Sequence, residues 1–152
     1  MSGAEEPAWA DPEPEVHRAL ARWAAECAER ALPAFEEWDP DDPRPRPALD
    51  VLFAWERGEA PMTECRTAAF AAHAAARAAT QAGERAATAA ARAAGQAAAV
   101  AHMVDHCSHA AVYAAKAVGL RGGSDADRDA ERRHQWESLD PVLRSLGFPK
   151  GL

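Results

Sequence analysis

The sequence predicts an all-α protein, a compact antiparallel helical bundle centred on a close-packed, alanine-rich helical hairpin. Three observations predict it. Apolar residues in the N-terminal part recur every three or four positions, the period of an amphipathic helix. The stretch from Glu64 to Val118 consists almost wholly of strong helix formers, alanine above all. No run of alternating β-branched and aromatic residues signals a strand.

With 152 residues the chain has room for one ordinary domain. Residues 1–10 read as a loose acidic tail and residues 11–152 as a single helical domain. Hydrophobic residues make up 48% of the chain, but many are alanine, so the core must lean on a small set of larger side chains. Asp11-Pro12 supplies an N-cap and first-turn signal. Val16, Leu20, Trp23, Cys27 and Ala31 follow at spacings of four, three, four and four, the stripe of a first helix. Pro33 should kink or end it, with Phe35 and Trp38 carrying the apolar face one turn further. The prolines between Asp39 and Pro47 predict a stiff loop. A second helix is expected from about Pro47 to Arg57, stopped by Gly58, and Thr63 is expected to cap the next.

An unbroken helix over 64–118 would be about 80 Å long at ~1.5 Å per residue. A domain of this size has a radius of gyration of about 15 Å, so the rod must fold back. Gly83 is the best turn, and a second break is expected near Asp105–Ser108, with Gly95 no more than a kink. Alanine faces let helix axes approach closely, so this tract should stack tightly, with Trp23, Phe35, Trp38, Phe53 and Trp55 covering it from the N-terminal side. The string AAARAA occurs at Ala74–Ala79 and Ala89–Ala94, an offset too short for a solenoid unit, and reads as low complexity. Gly119 and Arg121-Gly-Gly-Ser124 should end the block. Ser124 with Asp127 should open a charged helix to about Ser138, and Asp140-Pro141 a last short turn ending at Gly147.

Net charge is −7, which argues against a sequence-independent grip on nucleic acid. Residues 1–42 carry twelve acids against Arg18, Arg22 and Arg30. Such a face either steers a basic partner or is simply solvated surface. No secretory signal or membrane span is expected, because the start is acidic and the alanine tracts are broken by His73, Arg77, Arg85 and Arg92. Cys27, Cys65 and Cys107 are scattered and lack CxxC spacing, so reduced thiols in a cytoplasm are expected, each packing as a small hydrophobe.

One polar cluster stands out, Ala101-His-Met-Val-Asp-His-Cys-Ser-His109. On one helix, His102, His106, His109 and Tyr113 fall at i, i+4, i+7 and i+11, with Asp105 beside them. A His pair four residues apart can share a divalent transition metal, and no other cofactor is signalled. His73, with Arg77 one turn on, could complete the site from the antiparallel neighbour. Packing in an alanine-lined crevice and acid–base or ligand work are the alternatives to metal binding. Cys107 is a poor partner for the neighbouring histidines, because a helix sends adjacent side chains apart. Arg44 and Arg46, held between prolines, either pair with the Asp39–Asp42 acids or helix C-termini, or recognise an anion. Trp23 and Glu26 either line a ligand pocket or serve core packing. No phosphate-cradling loop, nucleophile elbow or dinucleotide fingerprint occurs.

Several strings together resemble the immunity proteins that carry the Imm-5-like domain. They are Trp23-Ala-Ala-Glu-Cys-Ala-Glu-Arg30 with Leu32-Pro33; Asp42-Pro-Arg-Pro-Arg46; Trp55-Glu-Arg-Gly-Glu59; Arg66-Thr-Ala-Ala-Phe-Ala-Ala-His-Ala-Ala-Ala-Arg77; Ala91-Arg-Ala-Ala-Gly95; and Ala101-His102 through Asp105-His106 to Tyr113-Ala-Ala-Lys116. They span roughly residues 16–118 in order. Gln96 stands where the resemblance leads one to expect a histidine, and His109 is not an expected position. The resemblance implies a helical bacterial domain that neutralises a toxin, and it carries over no catalytic role.

Two functional readings follow. One is a cytoplasmic interaction protein that binds a toxin, steered by the acidic N-terminal third and anchored by exposed aromatics. The other is a small metal- or His-dependent enzyme or ligand-binding protein of specialised metabolism, with a small molecule held around His73, His102, Asp105 and His106. A structural or regulatory helical module is a third. The sequence allows a homo-oligomer without setting the oligomeric state.

Overall fold

Proline opens the first three helices, because the N–H groups of a first turn have no intrahelical acceptor and the fixed φ of the ring suits it. The computed structural model describes residues 12–152, and no strand occurs among them. Helix α1 (Pro14–Ala31) has Glu13 at its N-cap, so it starts later than Asp11-Pro12 suggests, and Asp11 lies outside the described residues, as does the 1–10 tail. Pro33 divides α1 from the single turn α2 (Pro33–Glu36). Helix α3 (Pro45–Glu56) begins two residues before the expected Pro47, since Pro45 and Pro47 both fit a first turn that needs no donors. Gly58 follows it with φ +78°.

Thr63 does not cap the next helix. Pro61, in extended conformation, holds the cap position of α4 (Met62–Gln81), and Thr63 is already inside the first turn, its carbonyl accepting from Thr67 Oγ1 at 3.1 Å. Gly83, at φ +75°, turns the chain into α5 (Arg85–Ala99). The second break lies at residues 100–105, just ahead of where it was expected, and α6 runs over His106–Gly122. Gly119 does not end that helix. Gly123 does, with the left-handed φ of +75° that a C-terminal cap requires. Ser124 accepts from the Asp127 N–H at 3.1 Å and opens α7 (Asp125–Ser138). A 3₁₀ turn (Pro141–Leu143) and α8 (Arg144–Gly147) complete the chain.

Helix α5 is the axis of the bundle. It packs on α4 and α6 as antiparallel neighbours and also touches α1, α2 and α3. Ala87, Ala90, Ala91, Ala93, Ala94, Ala97 and Ala98 are all buried on one broad face of the helix, while Thr88, Arg92 and Gln96 are half-buried and Arg85 is exposed on the other. Only methyl-sized side chains permit a helix to be enclosed this closely. The bulky core lies outside this stack, where Leu20, Leu32, Phe35, Leu49 and Leu52 are fully buried on α1–α3 and the α1–α2 joint.

Trp23 departs from the expected covering role. It turns toward the C-terminal segment, its indole N–H donating to the Gln135 carbonyl at 3.0 Å and its ring lying 5.7 Å from Phe148. Helix α7 is tied down by buried polar groups rather than apolar ones. Glu131, 8% exposed, receives a two-pronged bond from Arg30, and Gln135 donates to the Ala111 carbonyl at 2.9 Å.

Candidate functional site

A glycine admits a histidine to the alanine stack. His73 on α4 lies against Gly95 of α5, so closely that a Cβ at position 95 would come within 2.6 Å of the ring. The next residue on α5, Gln96, bonds His106 at the start of α6, Oε1 to Nδ1 at 2.7 Å. With the amide oxygen facing the ring, Nδ1–H donates, which leaves the Nε2 lone pair of His106 free. Positions 95 and 96 thus bring His73 and His106 to one stretch of α5, as the folding back of the alanine tract predicted.

Both rings are half-buried, and both are held below the ordinary histidine range. Burial is the main cause in each. At His73 the positive charges of Arg92 and Arg77 and the nearby His106 push the same way. At His106, Asp105 opposes the shift while His109 and His102 add to it. Two buried polar atoms have no hydrogen-bond partner among the described residues, Nδ1 of His73 and Oδ1 of Asp105. Each such atom typically costs about 1–3 kcal/mol.

The remaining members of the cluster do not converge. His102 lies in the turn before α6 rather than on the helix, because the α5–α6 break interrupts the register that would have aligned it with His106, and it faces solvent. His109 is also exposed, 6.1 Å from the His106 ring in an edge-on arrangement. Among the described residues no three His, Cys, Asp or Glu side chains are grouped so as to hold a metal ion. Asp105 holds the N-cap position of α6 without making a side-chain cap bond. Tyr113 is half-buried two turns along α6, and Arg77 is exposed on α4.

The other candidate residues lie elsewhere. Trp23 is in the core and 4% exposed, whereas Glu26 is on the surface, paired with Arg22 at 3.0 Å. Arg44 grips Asp42 with both arms, the shorter bond being 2.7 Å, and holds its carboxyl below the usual carboxylate range. Arg46 bridges to Glu36 at 2.8 Å, a partner at the end of α2 rather than in the Asp39–Asp42 group. All three cysteines are buried free thiols, with burial pushing Cys27 and Cys107 up to about 12 and Cys65 up to about 11. At neutral pH none is a thiolate nucleophile.

Two features escaped the sequence reading. His17 on α1 packs at a tilt against Trp55, ring centroids 4.9 Å apart, and bonds the Val100 carbonyl, so it seals the end of α5. Phe70 on α4 is 65% exposed, whereas every tryptophan among the described residues is buried or half-buried. A signal for Phe70 was present. Cys65, Ala69, Ala72, Ala76 and Ala79, spaced alternately by four and three, form the buried stripe of α4, and Phe70 lies off it.

The described helices include none long and apolar enough to cross a membrane. No curated protein and no solved structure matches the chain. The family model described as Imm-5 like putative immunity protein matches residues 11–142, extending past both ends of the 16–118 resemblance and taking in α7. The chain therefore belongs to the Imm-5 like putative immunity protein family.

Proposed function

We propose that this protein binds a toxin and neutralises it through a preformed surface on the outer face of α4. Family membership supplies the immunity role, and Phe70 carries the choice of surface. An aromatic side chain 65% exposed on a rigid helix is a costly surface feature, and it is flanked on the same face by Arg66 and Arg77. Neither arginine makes an ion pair among the described residues. Aromatic and arginine anchors dominate protein interfaces, and a prebuilt helix face loses little conformational entropy on binding. The acidic N-terminal third is a weaker anchor, because Glu26, Glu36, Glu37 and Asp42 are already engaged by arginines.

The test is co-expression with each gene product encoded beside this one. One of them should arrest growth and be relieved by the wild-type protein, and Phe70→Asp should abolish relief while leaving the circular dichroism and melting temperature intact. If no neighbour is toxic, or if Phe70→Asp combined with Arg77→Glu protects as well as wild type, the reading fails.

A second reading, a His-dependent enzyme or ligand-binding protein, is favoured by the unsatisfied atoms of His73 and Asp105 beside His106. Zinc titration of the purified protein with His106→Ala and His102→Ala tests its metal form. Equal uptake by wild type and His106→Ala removes it.

A further inference from the structure

The chain holds 24 acidic residues and 17 lysines and arginines, so it has carboxylates in excess. Across α1–α3 it uses them, pairing Arg22, Arg30, Arg44, Arg46 and Arg57. Of the cations that make no ion pair among the described residues, three gather in one place. Beside the α4–α5 turn lies a cleft of about 250 Å³ whose lining includes Arg85 and Arg92 from α5 and Tyr113 and Lys116 from α6. Arg85, Arg92 and Lys116 make no ion pair or side-chain hydrogen bond among the described residues, although Glu84 also lies on the wall.

Arg92 is the telling member. It is half-buried on the cleft wall and has no counter-ion among the described residues. Its charge reaches His73, where with Arg77 it helps drive off the ring proton. The local field is therefore positive in a protein whose net charge is −7. Thr80 and Thr88 shape the rim, donating to the Ala76 carbonyl at 3.0 Å and the Glu84 carbonyl at 2.8 Å. The Tyr113 hydroxyl has no partner among the described residues and remains a donor. The volume is below the ~300–1,000 Å³ of drug-sized sites, which suits a small anion.

We propose that this cleft binds a phosphate group, with Arg85, Arg92 and Lys116 supplying the charge and Tyr113 a hydroxyl donor. Two arginine forks and an ammonium match the several oxygens and double charge of a phosphate better than a single carboxylate. The group can arrive as free phosphate or on a small phosphate monoester. The inference stands on the cleft alone and survives if toxin neutralisation fails.

Isothermal titration calorimetry at constant ionic strength tests it, with inorganic phosphate and glucose 6-phosphate as the two probes. The wild type should bind at least one, and tighter binding of the ester identifies the monoester as the natural form. Arg92→Gln and Lys116→Gln should each weaken binding about tenfold or more. Arg57→Gln, on α3's C-cap and outside the cleft, should leave it unchanged. Lys116 is exposed, so its variant reads the site even if Arg92→Gln fails to fold. No heat from either probe at millimolar concentration overturns the proposal, as does equal weakening by Arg57→Gln and Lys116→Gln.

Discussion

The shell of α1–α3 and the stack of α4–α6 solve the same packing problem with opposite materials. In the shell, leucines and Phe35 fill the interior, and most arginines are held by carboxylates. In the stack, alanine methyls fill the interior, and Arg66, Arg77, Arg85, Arg92 and Lys116 are left without counter-ions among the described residues. The difference teaches where chemistry can enter such a fold. Axes held close by alanine leave no interior space for a larger side chain, so His73 enters only where Gly95 opens a gap. Most charged residues of the stack lie at its surface, where Arg85, Arg92 and Lys116 border a cleft and Arg121 pairs with Glu37.

This comparison can be broken by substitutions that act in opposite senses. Phe35→Ala, in the shell, removes a fully buried ring and should cost about 3–5 kcal/mol in chemical denaturation. A loss below about 1 kcal/mol would mean the shell is not a close-packed core. Ala90→Leu, in the stack, adds volume at a fully buried position and should cost about 1–3 kcal/mol by overpacking. If Ala90→Leu stabilises the protein, α5 is not enclosed as described.

Gly95→Ala sharpens the point at one residue. A gain in helix propensity of about 1 kcal/mol opposes the clash with His73, so the net loss should be only about 1 kcal/mol. In the His73→Ala background the same change should become neutral or stabilising. Additive effects in that double-mutant cycle would show that ring and glycine do not meet.

The smallest expected effect is on pH dependence. His73 and His106 titrate lower in the folded protein than in the unfolded chain, where the ordinary value is 6.5. The unfolded chain therefore takes up protons first on acidification, and stability rises with pH in this range. The contribution is full above about 6.5 and declines as pH falls toward the lowered folded values. The melting temperature should drop between neutral pH and pH ~5, and a His73→Gln/His106→Gln double variant should show a shallower slope. An unchanged slope would assign the dependence to other groups.

Much of the fold is legible in the residues. Pro33, Gly83 and Ser124 act locally, through φ preferences and a cap bond formed within three residues, so their effects can be read in order along the chain. Thr63 misleads because Pro61 takes the cap position one residue before the helix, and Gly119 because a glycine inside a helix marks a close approach as readily as an end. The candidate site is legible only in part. The helical spacing of His102, His106 and His109 assumed one continuous helix, and the break at residues 100–105 put His102 in a turn.

The sequence by itself determined the helical class, the number of turns and the doubling back of the alanine tract, because propensity, proline geometry and glycine at positive φ act over a few residues. Tertiary structure decided which polar groups meet. Gly95 under His73, Gln96 on His106, and three cations around one cleft depend on the rotation and axial offset of packed helices. The buried alanines of α5 are alike in shape and name no particular neighbour, so what surrounds His73 and Arg92 appears only once the helices are packed.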